Sequence, residues 1–377
     1  MRELHTIPLK TFNFNWMKKI VLLSIIVFSG HIASAQSDVT EFIKAGSVDA
    51  SKMIQGYLKP FAYSLGDGLN NGWYYTAETH DRFGFDFSMS ITAVRIPESA
   101  KTFDLGKINL QNAYLDDPTN SIAQTVAGAE EWGPKINILD QNATNPGDTL
   151  GSFHSPPGID MDNVPIPMAQ LSFGLLPHTD FMFRYVPNLH FNQQGDEEED
   201  VRVGLIGIGV KNSFRDWMPV LKNLPFDAAV FAAYSHIDAS TGVDFQLEDY
   251  LVNKSFGTPD GYQPDENQEL DINTNTMKIG LIVSKKIAFI TFFGGIGNSS
   301  SKTTVDLLGC YPVAVEIEGN QITEVEEEVD PIKLNFESSR ISLDAGLRMK
   351  LGFFNVFGSI NKAEYTSLNA GVSLSVR

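Results

Sequence analysis

From Phe83 to Ala93 the chain reads FGFDFSMSITA, with an apolar side chain at nearly every odd position and a small or polar one between. A two-residue period sends successive side chains to opposite faces of a β-strand, so one face is apolar and the other wet. The pattern recurs at the end of the sequence, where Leu368, Ala370, Val372, Leu374 and Val376 oppose Asn369, Gly371, Ser373 and Ser375. It recurs again where Ile341, Leu343, Ala345, Leu347, Met349 and Leu351 oppose Ser342, Asp344, Gly346, Arg348 and Lys350. Globular strands usually run about five or six residues and membrane-spanning strands about nine to eleven, so these runs have spanning length. No apolar run after residue 35 is long enough for a spanning helix. A membrane-embedded chain with such strands must close them into a barrel.

The first 35 residues read as a targeting segment. Met17-Lys18-Lys19 is a basic start, Ile20 to Phe28 an apolar run and Ala33-Ser34-Ala35 a small-residue cleavage site before Gln36. The sixteen residues ahead of Met17 resemble no domain, which makes Met17 the expected true start. The formal charge of −18 argues against nucleic-acid binding, and a single cysteine, Cys310, allows no intramolecular disulfide and no cysteine-rich metal centre.

Further strands are expected at 168–176, 180–190, 201–211, 226–237, 270–284, 287–298 and 355–363, with a change of phase near Leu205 and Ile206 that reads as a bulge. Counted back from the C-terminus, the connections alternate in length. Phe354-Asn355, Lys285-Lys286, 212–225 and Pro177-His178-Thr179 fall on the inner, periplasmic side. The acidic 299–339, 238–269 and 192–200 fall outside. The long connections, 96–167 included, leave room for extra strand pairs. The expected fold is therefore all-β: an antiparallel transmembrane β-barrel of about 10–14 strands over residues 67–377, with a short helical segment at 36–66. A soluble exported β-sandwich is the rival architecture.

On this reading the lumen-facing candidates are Asp86, Ser88, Ser90, Asp271, Asn273, Asn275, Asp344, Arg348 and Lys350. The lipid-facing candidates are Phe83, Phe85, Phe87, Met89, Ile91, Leu368, Val372 and Leu374. Residues 36–66 read as two short helices, the second carrying Val48, Met53 and Tyr57 and stopped by Pro60, placed at the periplasmic mouth or plugging the lumen. A helix at 214–224 would lie at the membrane interface with Trp217 as anchor. The 26 Phe and 11 Tyr, with Trp73-Tyr74-Tyr75 among them, suit aromatic girdles. The glycines at 204–209 and 294–297 precede no Lys-Ser/Thr, so they bend strands or leave room in the lumen.

Chemistry-bearing patterns are sparse. Ala62-Tyr63-Ser64-Leu65-Gly66 has the spacing of a nucleophile elbow without its strand-to-helix context. Asp271, Asn273 and Asn275 lack the glycine that a calcium loop needs at position six. The histidines are scattered. No catalytic, cofactor-binding or metal-binding residue is therefore assigned, and no cofactor is expected.

The runs GLNNGWYYTAETHDRFGFDFSMSITAVRIP (68–97), WMPVLKNLPFD (217–227), VSKKIAFITFFGGIG (283–297) and AGLRMKLGFFNVFGSINKAEYTSLNAGVSLSVR (345–377) resemble an uncharacterised family of Bacteroidota outer-membrane β-barrel proteins. The resemblance spans nearly the whole mature chain and implies the barrel fold, with no substrate or catalytic residue to transfer. The ending Ser375-Val376-Arg377 departs from the terminal aromatic that barrel assembly commonly reads. The functional expectation is a channel or transporter for small, hydrophobic molecules, placed in the outer membrane. Its partners would be outer-membrane lipid, lipopolysaccharide and the barrel assembly machinery. A structural or surface-interaction role and a lipid hydrolase using Ser64 are the alternatives.

Overall fold

The structure, a computed structural model, describes residues 41–139, 149–192, 200–215, 225–243, 245, 267–318 and 321–376. Ten strands close a barrel in sequence order: β1 (Phe85–Arg95), β7 (Asn163–Leu176), β8 (Thr179–Asn192), β9 (Asp200–Ser213), β10 (Asp227–Gly242), β11 (Glu269–Ile287), β12 (Ile290–Leu308), β15 (Ile332–Leu351), β16 (Phe354–Lys362) and β17 (Thr366–Val376). All neighbours are antiparallel, and the ring shuts where β1 pairs with β17, from Phe85↔Val376 to Arg95↔Thr366. Closure removes both sheet edges.

The two ends of the barrel differ. At the inner end, Pro177-His178, Ala288-Phe289 and Gly352-Phe353 are two-residue hairpins, each holding a residue at positive φ (62° at His178, 53° at Ala288, 70° at Gly352) as tight hairpins require. Lys285-Lys286, expected in a turn, instead continues β11. At the outer end, 96–162 builds two small sheets from β2 (Thr102–Asp104), β3 (Ala113–Leu115), β4 (Ile122–Gln124), β5 (Lys135–Leu139) and β6 (Thr149–His154). There too, β13 (Cys310–Glu318) and β14 (Gln321–Val329) form a separate hairpin. Among the described residues, the long connections thus add strands above the barrel and none to its wall. The expected helix at 214–224 and the acidic run 196–200 fall almost wholly outside the described residues.

The strands are longer than a bilayer needs, and their apolar face changes sides part-way along. On β15, Lys333, Asn335, Glu337 and Ser339 point outward, followed by Ile341, Leu343, Ala345, Leu347, Met349 and Leu351. Inward on the same strand, Ile332, Leu334 and Phe336 give way to Ser342, Asp344 and Arg348. The ladder to β12 runs through this exchange without a register shift. Ile341 to Leu351 is ten steps, about 34 Å along the strand, or about 26 Å of height at a tilt of roughly 40°, close to the apolar band of a membrane barrel.

The barrel therefore has an apolar outer belt below and a collar above whose inner wall is apolar. This overturns three lumen assignments. Asp271, Asn273 and Asn275 share the outward face of β11 with Met277, Ile279 and Leu281, while Leu270, Ile272, Thr274 and Thr276 point inward. The polar run stands outside because it lies above the belt. The same exchange explains β9, where Val203 and Leu205 point in and Ile206 and Ile208 point out with no bulge in its ladder to β10.

What the collar encloses is the helix. Residues 41–43 make one turn, and α1 (Gly46–Asn70) then runs unbroken through Pro60, ten residues beyond the expected stop. A mid-helix proline costs about 3 kcal/mol, and burial of Met53, Ile54, Tyr57, Leu58, Leu65 and Leu69 against the collar offsets it. Gly56, one turn before Pro60, leaves space that the Phe103 ring fills. Val48, expected on the apolar face, is exposed. The first half of α1 sits under the outer-end sheets, where Asp49 accepts backbone hydrogen bonds from Gln111, Asn112 and Ala113. The helix is therefore at the end that carries the long connections, away from the two-residue hairpins.

Candidate functional site: the plugged lumen

Below α1 the chain descends through the barrel as Asn71 to His80, turns at Phe83 and returns as β1. This segment fills the lumen. Gly72 opens it at a φ of 71°, a conformation that strains other residues. Trp73 is buried against β9, where any side chain at Gly207 or Gly209 would come within 3.1 Å of its ring. Gly295 likewise leaves the place taken by the Tyr74 hydroxyl. The two glycine-rich runs thus hollow the wall for the plug's aromatics. Trp73-Tyr74-Tyr75, expected in an interfacial girdle, is buried in the lumen instead.

Side chains from the wall hold the segment's backbone. The Arg184 guanidinium donates to the carbonyls of Leu69 and Asn71, each at 2.8 Å, and through Nε to Gln170 at 3.0 Å. It stacks 3.8 Å over the Trp73 ring, and Gln170 donates to the Trp73 carbonyl at 3.0 Å. Lower down, Tyr74 donates its hydroxyl to Asp344 at 2.9 Å; Asp344 also accepts from Lys278 at 2.9 Å and Asn361 at 2.8 Å. Tyr75 stacks on Phe357 at 4.4 Å and reaches Ser373, which donates to Asp86.

At the inner mouth, Lys211 donates to the carbonyl of Glu78 at 2.9 Å and pairs with Asp180 at 3.1 Å. Asp180 also accepts the His80 backbone N–H and lies 3.1 Å from its imidazole. Arg348 is 3.7 Å from Glu78. Three inward cations thus pair with carboxylates, Lys211 with Asp180, Lys278 with Asp344 and Arg348 with Glu78, while Arg184 is held by carbonyls. Buried charges are tolerated when paired and hydrogen-bonded in this way.

Of the sequence-based lumen candidates, Asp86, Ser88, Asp344 and Arg348 are buried and inward, and Ser90 and Lys350 share their phase half-buried. Phe85, Phe87, Met89, Ile91, Leu368, Val372 and Leu374 point outward. Phe83 is outside the strand, in the inner turn at a φ of 68°. The residues that grip the plug were missed: Arg184, Gln170, Lys211 and Lys278 each occupy the wet face of an otherwise ordinary strand. Only Arg184 carries a further signal, a long cation opposite Gly207 on the next strand. Ser64 is mid-helix and fully buried, with no hydrogen-bond partner for its hydroxyl among the described residues, a setting unlike a nucleophile elbow.

At the top of the plug, Asp67 accepts the Tyr365 backbone N–H at 2.6 Å. Burial is the chief cause that raises its carboxyl to about 6. A folded-state value above the ordinary carboxylate range favours the protonated folded form. The stabilisation is thus full below about pH 4 and lost as pH rises through about 6. Thermal unfolding in detergent should therefore fall for the wild type between pH 4 and 7, measured relative to Asp67→Asn, in which this contribution is constant. Parallel curves would refute it.

A closed antiparallel barrel with an apolar exterior belt, a polar lumen and a short N-terminal helix is the architecture of an outer-membrane β-barrel protein. The chain belongs to the family of unknown function DUF6588, whose model matches residues 17–376. No curated protein matches it.

Among solved structures it is similar to the translocator domain of the autotransporter NalP from Neisseria meningitidis, at 9% identity and a TM-score of 0.29, over 89% of this chain and 99% of that one. The attachment invasion locus protein Ail of Yersinia pestis matches at 8% identity and 0.25, over 78% and 100%. A Pseudomonas aeruginosa FadL homologue matches at 9% and 0.24, over 78% and 89%. At these scores the likenesses say nothing about function.

Proposed function

We propose that the protein is an outer-membrane conduit for small apolar or amphipathic molecules, closed at rest by its own residues 66–82. In this reading the long-loop end is extracellular, the two-residue turns are periplasmic, and the outward set from Phe85 to Ile91 and Leu368 to Leu374 faces lipid. The observation that carries it is the chemistry of the plug's grip. Its hydrogen bonds and ion pairs to the polar wall can exchange for water at small net cost, which leaves one aromatic cluster, Trp73, Tyr74 and Tyr75 against Phe231, Phe293 and Phe357, to resist opening. Barrel assembly machinery and lipopolysaccharide are the partners this placement implies.

A surface-interaction role is the second reading. It is favoured by the collar, which has its own core and holds α1, β2–β6 and the β13–β14 hairpin, with Glu326, Glu327 and Glu328, above the belt. Planar-bilayer conductance and vesicle uptake of an apolar dye separate the two. The wild type should be electrically silent, and Trp73→Gly/Tyr74→Gly/Tyr75→Gly should conduct and admit dye while keeping its heat-dependent gel shift. A folded triple variant that does neither would leave the surface role.

A further inference from the structure

At nearly every joint of the wall, paired strands stay paired to within two residues of the shorter strand's end; one joint differs, among the described residues. β7 and β8 are each 14 residues long, yet they pair only from Gln170↔Arg184 down to Leu176↔Thr179. Above that rung β7 continues against β1 alone, to Asn163, and β8 against β9 alone, to Asn192.

The sequence shows why they part. β7 carries Pro165 and Pro167, and its ladder to β1 runs unbroken past both, so their missing N–H groups fall on the side facing β8. On β8, Pro187 and Asn188 together face the single Gly204 of β9 in a bulge between Val186 and Leu189, and a bulge bends its strand and disrupts the ladder locally. Prolines and bulges are how sheets keep an open edge from pairing.

The gap opens at the outer rim of the apolar belt. Pro167 and Pro165 stand opposite Ile91 and Ala93 of β1, and the rung above Arg184 carries Tyr185, which is 65% exposed. Behind the gap, Val164, Ile166 and Met168 are buried in one apolar cluster with Leu65 and Leu69 of α1. Ile166 occupies the space that a side chain at Gly68 would need. The floor is the Gln170–Arg184 rung, the pair that holds the carbonyls of Leu69, Asn71 and Trp73.

We infer that the β7–β8 seam is a lateral doorway that takes a single acyl chain, from a membrane lipid or a free fatty acid, against α1 at Leu65–Leu69. An apolar path from the belt to the helix fits a hydrocarbon chain, and its floor on the plug's latch places an arriving chain where the plug is held. This deepens the conduit reading and rests on it for the direction of transport.

Short-range quenching tests it. Met168→Trp places a probe behind the seam and Ile282→Trp one behind a fully paired stretch of wall, both in the full-length protein with Trp132→Phe, Trp217→Phe and Cys310→Ser. In vesicles of brominated-chain phosphatidylcholine, or plain vesicles given brominated fatty acid, Met168→Trp should be quenched several-fold more than Ile282→Trp. The two arms tell membrane lipid from free acid. Bridging Ala169→Cys to Tyr185→Cys with a bis-maleimide should abolish the excess.

Equal quenching at both sites, or an excess that survives the bridge, would overturn the seam. Excess quenching with no dye uptake by the triple-glycine variant would keep the seam and sink the conduit. Uptake without excess quenching would do the reverse.

Discussion

Arg184→Ala should free the plug while leaving the barrel closed. Three buried acceptors, the carbonyls of Leu69 and Asn71 and the Gln170 amide oxygen, lose the guanidinium that bonds them in one step, and Trp73 loses its stacked cation. Hydrogen bonds to a charged donor contribute about 1.5–3 kcal/mol each, and the set is not additive. A loss of about 3 kcal/mol converts to roughly a hundredfold in the opening equilibrium. The measurement is the rate at which a maleimide labels Thr76→Cys, buried in the lumen, in a Cys310→Ser background. Arg184→Lys should recover little, because an ammonium cannot span two carbonyls and a ring as the planar fork does. Unchanged labelling in a folded Arg184→Ala protein would mean that the plug is held elsewhere.

The second large effect contrasts two residues of one strand on one face. Ile279 and Asn273 both point outward from β11, six residues apart, Ile279 within the apolar belt and Asn273 above it. Ile279→Arg places a charge at hydrocarbon depth and should destabilise the folded barrel by about 2–4 kcal/mol. Asn273→Arg should fall within about 0.5 kcal/mol of wild type, as surface substitutions do. Urea-driven unfolding in lipid vesicles measures both. Were Asn273 in the lumen, as alternation alone suggests, an arginine there would meet α1 and the collar core, and the two variants would be equally damaging.

The difference between those two residues shows how far pattern reading carries. A period of two assigns each residue to one of two faces, but it does not say which face is wet. Below the rim of the belt, polar means inward; in the collar, Leu270, Ile272, Leu334 and Phe336 mean inward. Pattern also handled proline poorly. The strand expected at 168–176 begins at Asn163 and runs through Pro165 and Pro167, and the helix expected to stop at Pro60 continues to Asn70, because the open seam and the collar packing absorb the local penalties.

From sequence alone came the closed antiparallel barrel, its ten core strands, the alternation of short and long connections, and the inward phase of Asp86, Ser88, Asp344 and Arg348. These follow from strand length and side-chain period, which are properties of a strand by itself. Tertiary structure alone decided that the lumen is filled, that Trp73 to Tyr75 fill it, that Arg184 and Gln170 hold it, and that β7 and β8 part above them. Each of these depends on residues far apart in sequence meeting across a closed ring, and no local period records which strand will face which.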